Sequence, residues 1–159
     1  MHHDRLPVTL TKMKILCQRF SPWSNETIGQ TKVRIADQGC TITCLSMLSD
    51  WYGNFRTPDW IAKNLSFTNA ARVYWNSMNG KLPFRFVYRY YRKNDAKIKE
   101  ILSSKDNACL LEVNNNHWVV LVGYSKIYGY KVADPYYGDT IYLSKRKYRI
   151  TGFTEVARS

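Results

Sequence analysis

At 159 residues, 45% apolar and 23% charged, the chain suits a single globular domain that buries roughly 70% of its unfolded surface, and this balance argues against disorder. Four cysteines are too few for a disulfide scaffold of this size, and no apolar run approaches the ~20 residues of a membrane helix. A net charge of +12, from 24 basic against 12 acidic residues, favours polyanionic partners such as nucleic acid, anionic lipid or anionic wall polymers, without choosing among them.

Met1-His2-His3-Asp4-Arg5-Leu6-Pro7 lacks the apolar stretch and cleavage site of a secretory signal, so synthesis in the cytosol is expected, with virion association or release by lysis as other routes outward. Lys12 to Cys17 alternates well enough for a short strand, followed by Gln18-Arg19-Phe20-Ser21-Pro22-Trp23. After a polar stretch comes Asp37-Gln38-Gly39-Cys40. From there Cys44, Leu45, Leu48, Trp51 and Tyr52 recur at helical spacing, and Gly53-Asn54 supplies a stop. A buried helix over about 40–52 is expected. Thr57-Pro58 is a helix start, with a hydroxyl cap before Pro at the first helical position.

Phe84 to Lys93 interleaves aromatics with cations, as single-strand nucleic-acid platforms do. The same alternation, with Phe84, Phe86 and Tyr88 on one face, also describes an ordinary half-buried strand. Asn94-Asp95 opens a helix with Ile98, Ile101 and Leu102 inward. Strands follow at Ala108 to Val113, Trp118 to Tyr124, Tyr128 to Ala133, Thr140 to Leu143 and Phe153 to Ala157. Helices first and strands second predict an α+β domain, with helices segregated onto an antiparallel sheet. No linker divides the chain, so residues 1–159 form one domain with its core at about 12–156.

The chemistry-bearing residues are few. His117 is the one histidine outside the N-terminal tip, at the mouth of a predicted strand after Asn114-Asn115-Asn116. Cys40 follows a glycine at a predicted helix start, where unpaired N–H groups carry partial positive charge; such a setting, with an imidazolium, activates a thiol. Cys44 lies one turn further along the apolar stripe and reads as packing. Asp134 ends a strand before Pro135, where it can fix the tautomer of a neighbouring imidazole. Gln18 is the first choice for a side-chain donor to an oxyanion, Gln38 the second, with Gln30 a further competitor. Cys40 and Cys44 have no second Cys/His pair at ligand spacing, which speaks against structural zinc, and no cofactor motif is present. Together these residues predict cysteine-based amide hydrolysis.

Gly39-Cys40-Thr41-Ile42-Thr43-Cys44-Leu45-Ser46-Met47-Leu48 through Tyr52-Gly53, with Thr57-Pro58, resembles the bacteriocin-processing, double-glycine leader peptidase-like family. His117 to Tyr124 and Val132-Ala133-Asp134-Pro135 resemble that family's histidine and aspartate strands, and Gln18 to Trp23 its glutamine segment. The usual Gly-Pro after the nucleophile is replaced here by Thr41-Ile42. The resemblance implies a papain-like fold, in which a helical lobe carries Cys40 and an antiparallel sheet carries His117 and Asp134. It implies attack by Cys40, proton transfer by His117, orientation by Asp134, and an oxyanion held by Gln18 and the Cys40 N–H, without metal or organic cofactor. The expected substrate is a peptide or cell-wall peptide. The competing expectation is an inactive papain-like module with a structural or binding role in a larger assembly, for example a phage virion or tail.

Overall fold

The computed structural model describes residues 12–159; the segment read for a secretory signal, Met1 to Pro7, lies outside them. Among the described residues, four α-helices pack on one sheet of six strands: α1 (Ile35–Gln38), α2 (Cys40–Trp51), α3 (Pro58–Asn64), β1 (Phe84–Tyr90), α4 (Asp95–Leu102), β2 (Asn107–Val113), β3 (His117–Ser125), β4 (Gly129–Asp134), β5 (Asp139–Tyr142) and β6 (Ile150–Arg158). The sheet is antiparallel, in the order β1-β6-β2-β3-β4-β5. Among the described residues no helix is long and apolar enough to cross a membrane.

Alternation along β3 divides the core in two. Trp118, Val120 and Val122 face the N-terminal helices, while Val119 and Leu121 face the opposite side. The helix-side core gathers Ile42, Cys44, Leu45, Met47 and Leu48 of α2 with Ile61, Phe84 and Leu110. The outer core packs Ile98 and Ile101 of α4 against Leu111, Val132 and Phe153. Both faces of the sheet are therefore covered, and α4 joins the outer face rather than the N-terminal lobe.

α2 starts with β-branched Thr41, Ile42 and Thr43, poor helix formers, so burial rather than propensity holds it. Every side chain from Ile42 to Ser49 is buried. Ser46 and Ser49 survive there because their hydroxyls donate to the carbonyls of Arg56 and Ser46. α3 begins as read: the Thr57 hydroxyl accepts the Trp60 N–H and Pro58 occupies the first turn. α4 is capped by Asn94, whose side-chain oxygen accepts the Lys97 N–H at 3.1 Å.

Two local expectations fail. Lys12 to Cys17 is not a strand, because its backbone groups bond elsewhere: the Lys14 N–H donates to Asp50 Oδ2 at 2.8 Å, and no neighbouring strand offers a ladder. In β1 the register with β6 shifts between Phe86 and Tyr88, a bulge at Val87. Such an extra residue reverses which side chains face which side. Phe84 and Phe86 pack toward the helices, but beyond the bulge Tyr88 is exposed and lies edge-on to Tyr90, which joins the outer core. Arg89 thereby turns onto the helix-facing side.

Candidate active site

Where the helical lobe and the sheet splay apart lies a cleft of about 660 Å³. Cys40 and Thr41 line it from the start of α2, His117 and Trp118 from the start of β3, and Gln18 and Tyr136 from two loops.

Cys40 occupies the first position of α2, capped by Gly39 without a side-chain bond. The thiol is partly accessible. A Cβ at position 39 would come within 2.5 Å of the Ile35 carbonyl oxygen and 2.6 Å of Ile35 Cγ2, so only glycine lets α1 abut α2 there. That abutment fixes where the helix begins and where the sulfur emerges. Cys44 is a different kind of thiol: it is fully buried, donates to the Trp118 carbonyl at 3.4 Å, and is pushed well up in pKa chiefly by burial.

His117 opens β3 opposite Val113. Its Nε2 lies 2.8 Å from Asp134 Oδ1, which leaves Nδ1 for other chemistry. Tyr148 and Tyr136 flank the ring. Burial lowers the pKa of the imidazole, but hydrogen bonds to Asp134 and Cys40, with their charges, outweigh it and raise the value to about 9. His117 is thus cationic at neutral pH and adjoins the thiol.

Asp134, the last residue of β4, is fully buried and has four donors. Oδ1 accepts from His117 and from the Tyr136 N–H at 3.0 Å; Oδ2 accepts from Arg146 Nη1 at 2.8 Å and from the Tyr148 hydroxyl at 2.7 Å. Burial opposes its charge, yet these bonds prevail and hold the pKa at about 2.

Gln18 is buried beside the cleft. Its backbone N–H donates to the Pro135 carbonyl, and its Nε2 donates to the Ala36 carbonyl at 3.2 Å, leaving one amide hydrogen over. Gln38, at the end of α1, also lines the cleft, whereas Gln30 is exposed and lies away from it. The structure therefore brings Cys40, His117, Asp134 and Gln18 together from four separate stretches of chain. Among the described residues no group of three His, Cys, Asp or Glu side chains is placed to hold a metal ion.

Several contributors carry no signal in the sequence. Arg146 and Tyr148 sit in the basic run Lys145 to Arg149, yet both bond Asp134. On the far wall of the cleft, Arg89 pairs with Glu112 at 3.2 Å and lies over the rings of Trp118 and Tyr91. Gly152 makes room for this pair, since a Cβ there would meet Arg89 Nη1 at 2.6 Å and Glu112 Oε1 at 3.0 Å.

A model of the Peptidase C39 like family matches residues 20–156. A solved structure described as a double glycine motif protease from an AMS/PCAT transporter in complex with the leader peptide aligns with a TM-score of 0.58 at 19% identity, covering 76% of this chain and 84% of that one. At that identity the likeness speaks for the fold, a papain-like arrangement of helical lobe and antiparallel sheet. No curated protein sequence matches the chain.

Proposed function

We propose, from the premise that this chain belongs to the Peptidase C39 like family of papain-like cysteine peptidases, that it hydrolyses a peptide or cell-wall peptide amide through Cys40, His117, Asp134 and Gln18. The observation that carries this reading is a single imidazole bonded to a buried carboxylate on one side and adjoining an accessible helix-start thiol on the other.

With the proton held on His117, Cys40 attacks the carbonyl carbon as the thiolate. The developing oxyanion is received by the Cys40 N–H, unpaired in the first turn of α2, and by the spare amide hydrogen of Gln18. The His117 imidazolium then donates its proton to the leaving amine nitrogen, the C–N bond breaks, and a thioester remains on Cys40. Neutral His117 takes a proton from water, whose oxygen attacks the thioester; the acid leaves and the thiolate–imidazolium pair is restored. Asp134 holds the ring so that Nδ1 faces the sulfur throughout.

What favours turnover over a purely structural role is that Cys40, His117 and Gln18 line one cleft while Asp134 is buried behind the imidazole. Arg89, Glu112 and Trp118 line the same cleft as Cys40 and His117, and a cleft of about 660 Å³ suits a short extended peptide, a Gly-containing sequence among the candidates. A charge of +12 suits docking on anionic wall polymers before cleavage. The test is release of amino groups from purified peptidoglycan and from a Gly-containing peptide, comparing the wild-type protein with Cys40→Ala. Release by the wild type alone is expected, and equal release by both overturns the reading.

A further inference from the structure

Asp134 and Asp139 are direct cross-strand partners at the head of the β4–β5 hairpin. Two like charges at such a pair repel. Between them lies the guanidinium of Arg146, from the 3₁₀ turn Leu143–Arg146. Its Nη1 donates to Asp134 Oδ2 at 2.8 Å and to Asp139 Oδ1 at 2.9 Å, and its Nη2 donates to Asp139 Oδ2. The guanidinium also lies 3.9 Å from the centre of the Tyr137 ring. A planar fork with several fixed donors can pair two-pronged with one carboxylate while bonding the other, a geometry a lysine ammonium lacks. Lys147, in the left-handed region at φ 56, ends the turn and sends the chain back so that Tyr148 reaches the same Oδ2.

We propose that Arg146 is a positioning residue for the reaction: it locks the Asp134 carboxylate in the orientation that receives His117 and cancels part of the carboxylate charge felt by the imidazole. The proposal rests on the reading of Cys40 and His117 as the reacting pair. Asp134 has two oxygens and a preference for neither until something claims one. Arg146 and Tyr148 claim Oδ2, so Oδ1 is left to His117. A bare buried aspartate would also bind the imidazolium proton more strongly than one already paired with a guanidinium. Arg146 therefore keeps His117 able to release its proton to the leaving amine. The charged and titratable groups around this centre are Cys40 from α2, Asp139 from β5, Tyr148 after the 3₁₀ turn, and Tyr136 and Tyr137 in the hairpin turn. Arg19 stacks over the last two, and neutral Cys44 lies behind.

The test reads the imidazole directly. The chain has three histidines, so the His117 ring can be followed by NMR in the intact protein. Removing the cation in Arg146→Gln is expected to move the His117 titration upward by about half a pH unit or more, because an unshielded carboxylate favours the charged ring. Arg146→Lys, which keeps the charge but not the fork, is expected to leave the titration near the wild-type value while slowing turnover. If Arg146→Gln proves unstable because Asp134 and Asp139 repel, the double variant Arg146→Gln with Asp139→Asn removes that repulsion and carries the same expectation. A titration unchanged or lowered in the folded variant overturns the proposal. The reading beneath it fails separately: should wild-type Cys40 alkylate at pH 6 no faster than an ordinary thiol, the pair itself is absent, whatever Arg146 does.

Discussion

The Gln18 backbone N–H donates to the Pro135 carbonyl at 2.7 Å, so the proposed oxyanion donor hangs from the residue that follows Asp134. The same turn binds this segment twice more, through the Arg19 guanidinium and the Cys17 thiol on the Tyr136 carbonyl. One hairpin corner thus sets both the orienter of His117 and the amide across the cleft.

Gly138 closes that corner at φ +72, and a Cβ there would lie 2.8 Å from Cys17 Cβ. Gly138→Ala is expected to lose about 1–3 kcal/mol and to slow hydrolysis, because both the turn and the Gln18 segment must shift. Gly80→Ala is the control: φ is +80 but no atom lies within 4 Å, so only backbone strain of about 1 kcal/mol is expected, with activity retained. Chemical denaturation and initial rates on the two variants check the contrast.

Removing the Gln18 amide in Gln18→Ala is expected to lower kcat about 10²–10³-fold, as loss of one oxyanion donor does elsewhere. Gln38→Ala, which changes a cleft-lining but exposed side chain, is expected to lower the rate less than about threefold, in keeping with a surface substitution. Steady-state kinetics on one peptide separates them. Equal losses would move the oxyanion role away from Gln18.

The four cysteines differ enough to be told apart by mass spectrometry after brief iodoacetamide treatment. At pH 6 only Cys40 is expected to be modified, since an imidazolium adjoins that sulfur alone, and fragmentation of the tryptic peptide 35–56, which carries Cys40 and Cys44 together, assigns the label. Cys44 and Cys109 are buried and pushed up by burial, and are expected to stay intact until the protein unfolds. His117→Gln should abolish the modification at pH 6 without unfolding the chain.

With the His117 pKa raised to about 9, activity is expected to hold well above pH 6.5 and to fall near pH 9 as the imidazolium is lost. The linked stability has a definite sign. A folded pKa raised above 6.5 gives stability that is fully present below 6.5 and lost as pH rises through about 9. Asp134, lowered from 3.8 to about 2, gives stability present above 3.8 and lost as pH falls through about 2. A series of Tm measurements should fall at both ends, and His117→Gln should remove most of the alkaline slope.

Elements set by neighbouring residues were legible in the sequence. Thr57-Pro58 starts α3, Asn94 caps α4, and the Cys40 to Trp51 periodicity is α2, because caps and spacing act over one or two turns. The order Gln18, Cys40, His117, Asp134 along the chain marked these four as candidates, and the fold places Gln18, Cys40 and His117 on one cleft with Asp134 bonded behind His117. What depends on distant partners was not legible. β1 pairs with β6, matching Phe84 to Arg158, and no local pattern announces a partner so far along the chain. The bulge at Val87 breaks an alternation that looks regular on paper. Lys12 to Cys17 alternates as a strand would but meets no strand to join. Arg146 and Tyr148 stand among basic residues, and only the fold shows that they turn inward to Asp134.

The extra residue in β1 divides that strand into two territories. Ahead of it, side chains answer to the interior and tolerate little change. Beyond it, Arg89 lines the cleft while Tyr90 stacks on Phe153 in the outer core. A single inserted residue in an edge strand thus assigns its near half to the interior and puts one cation of its far half, Arg89, on the wall shared with Cys40 and His117.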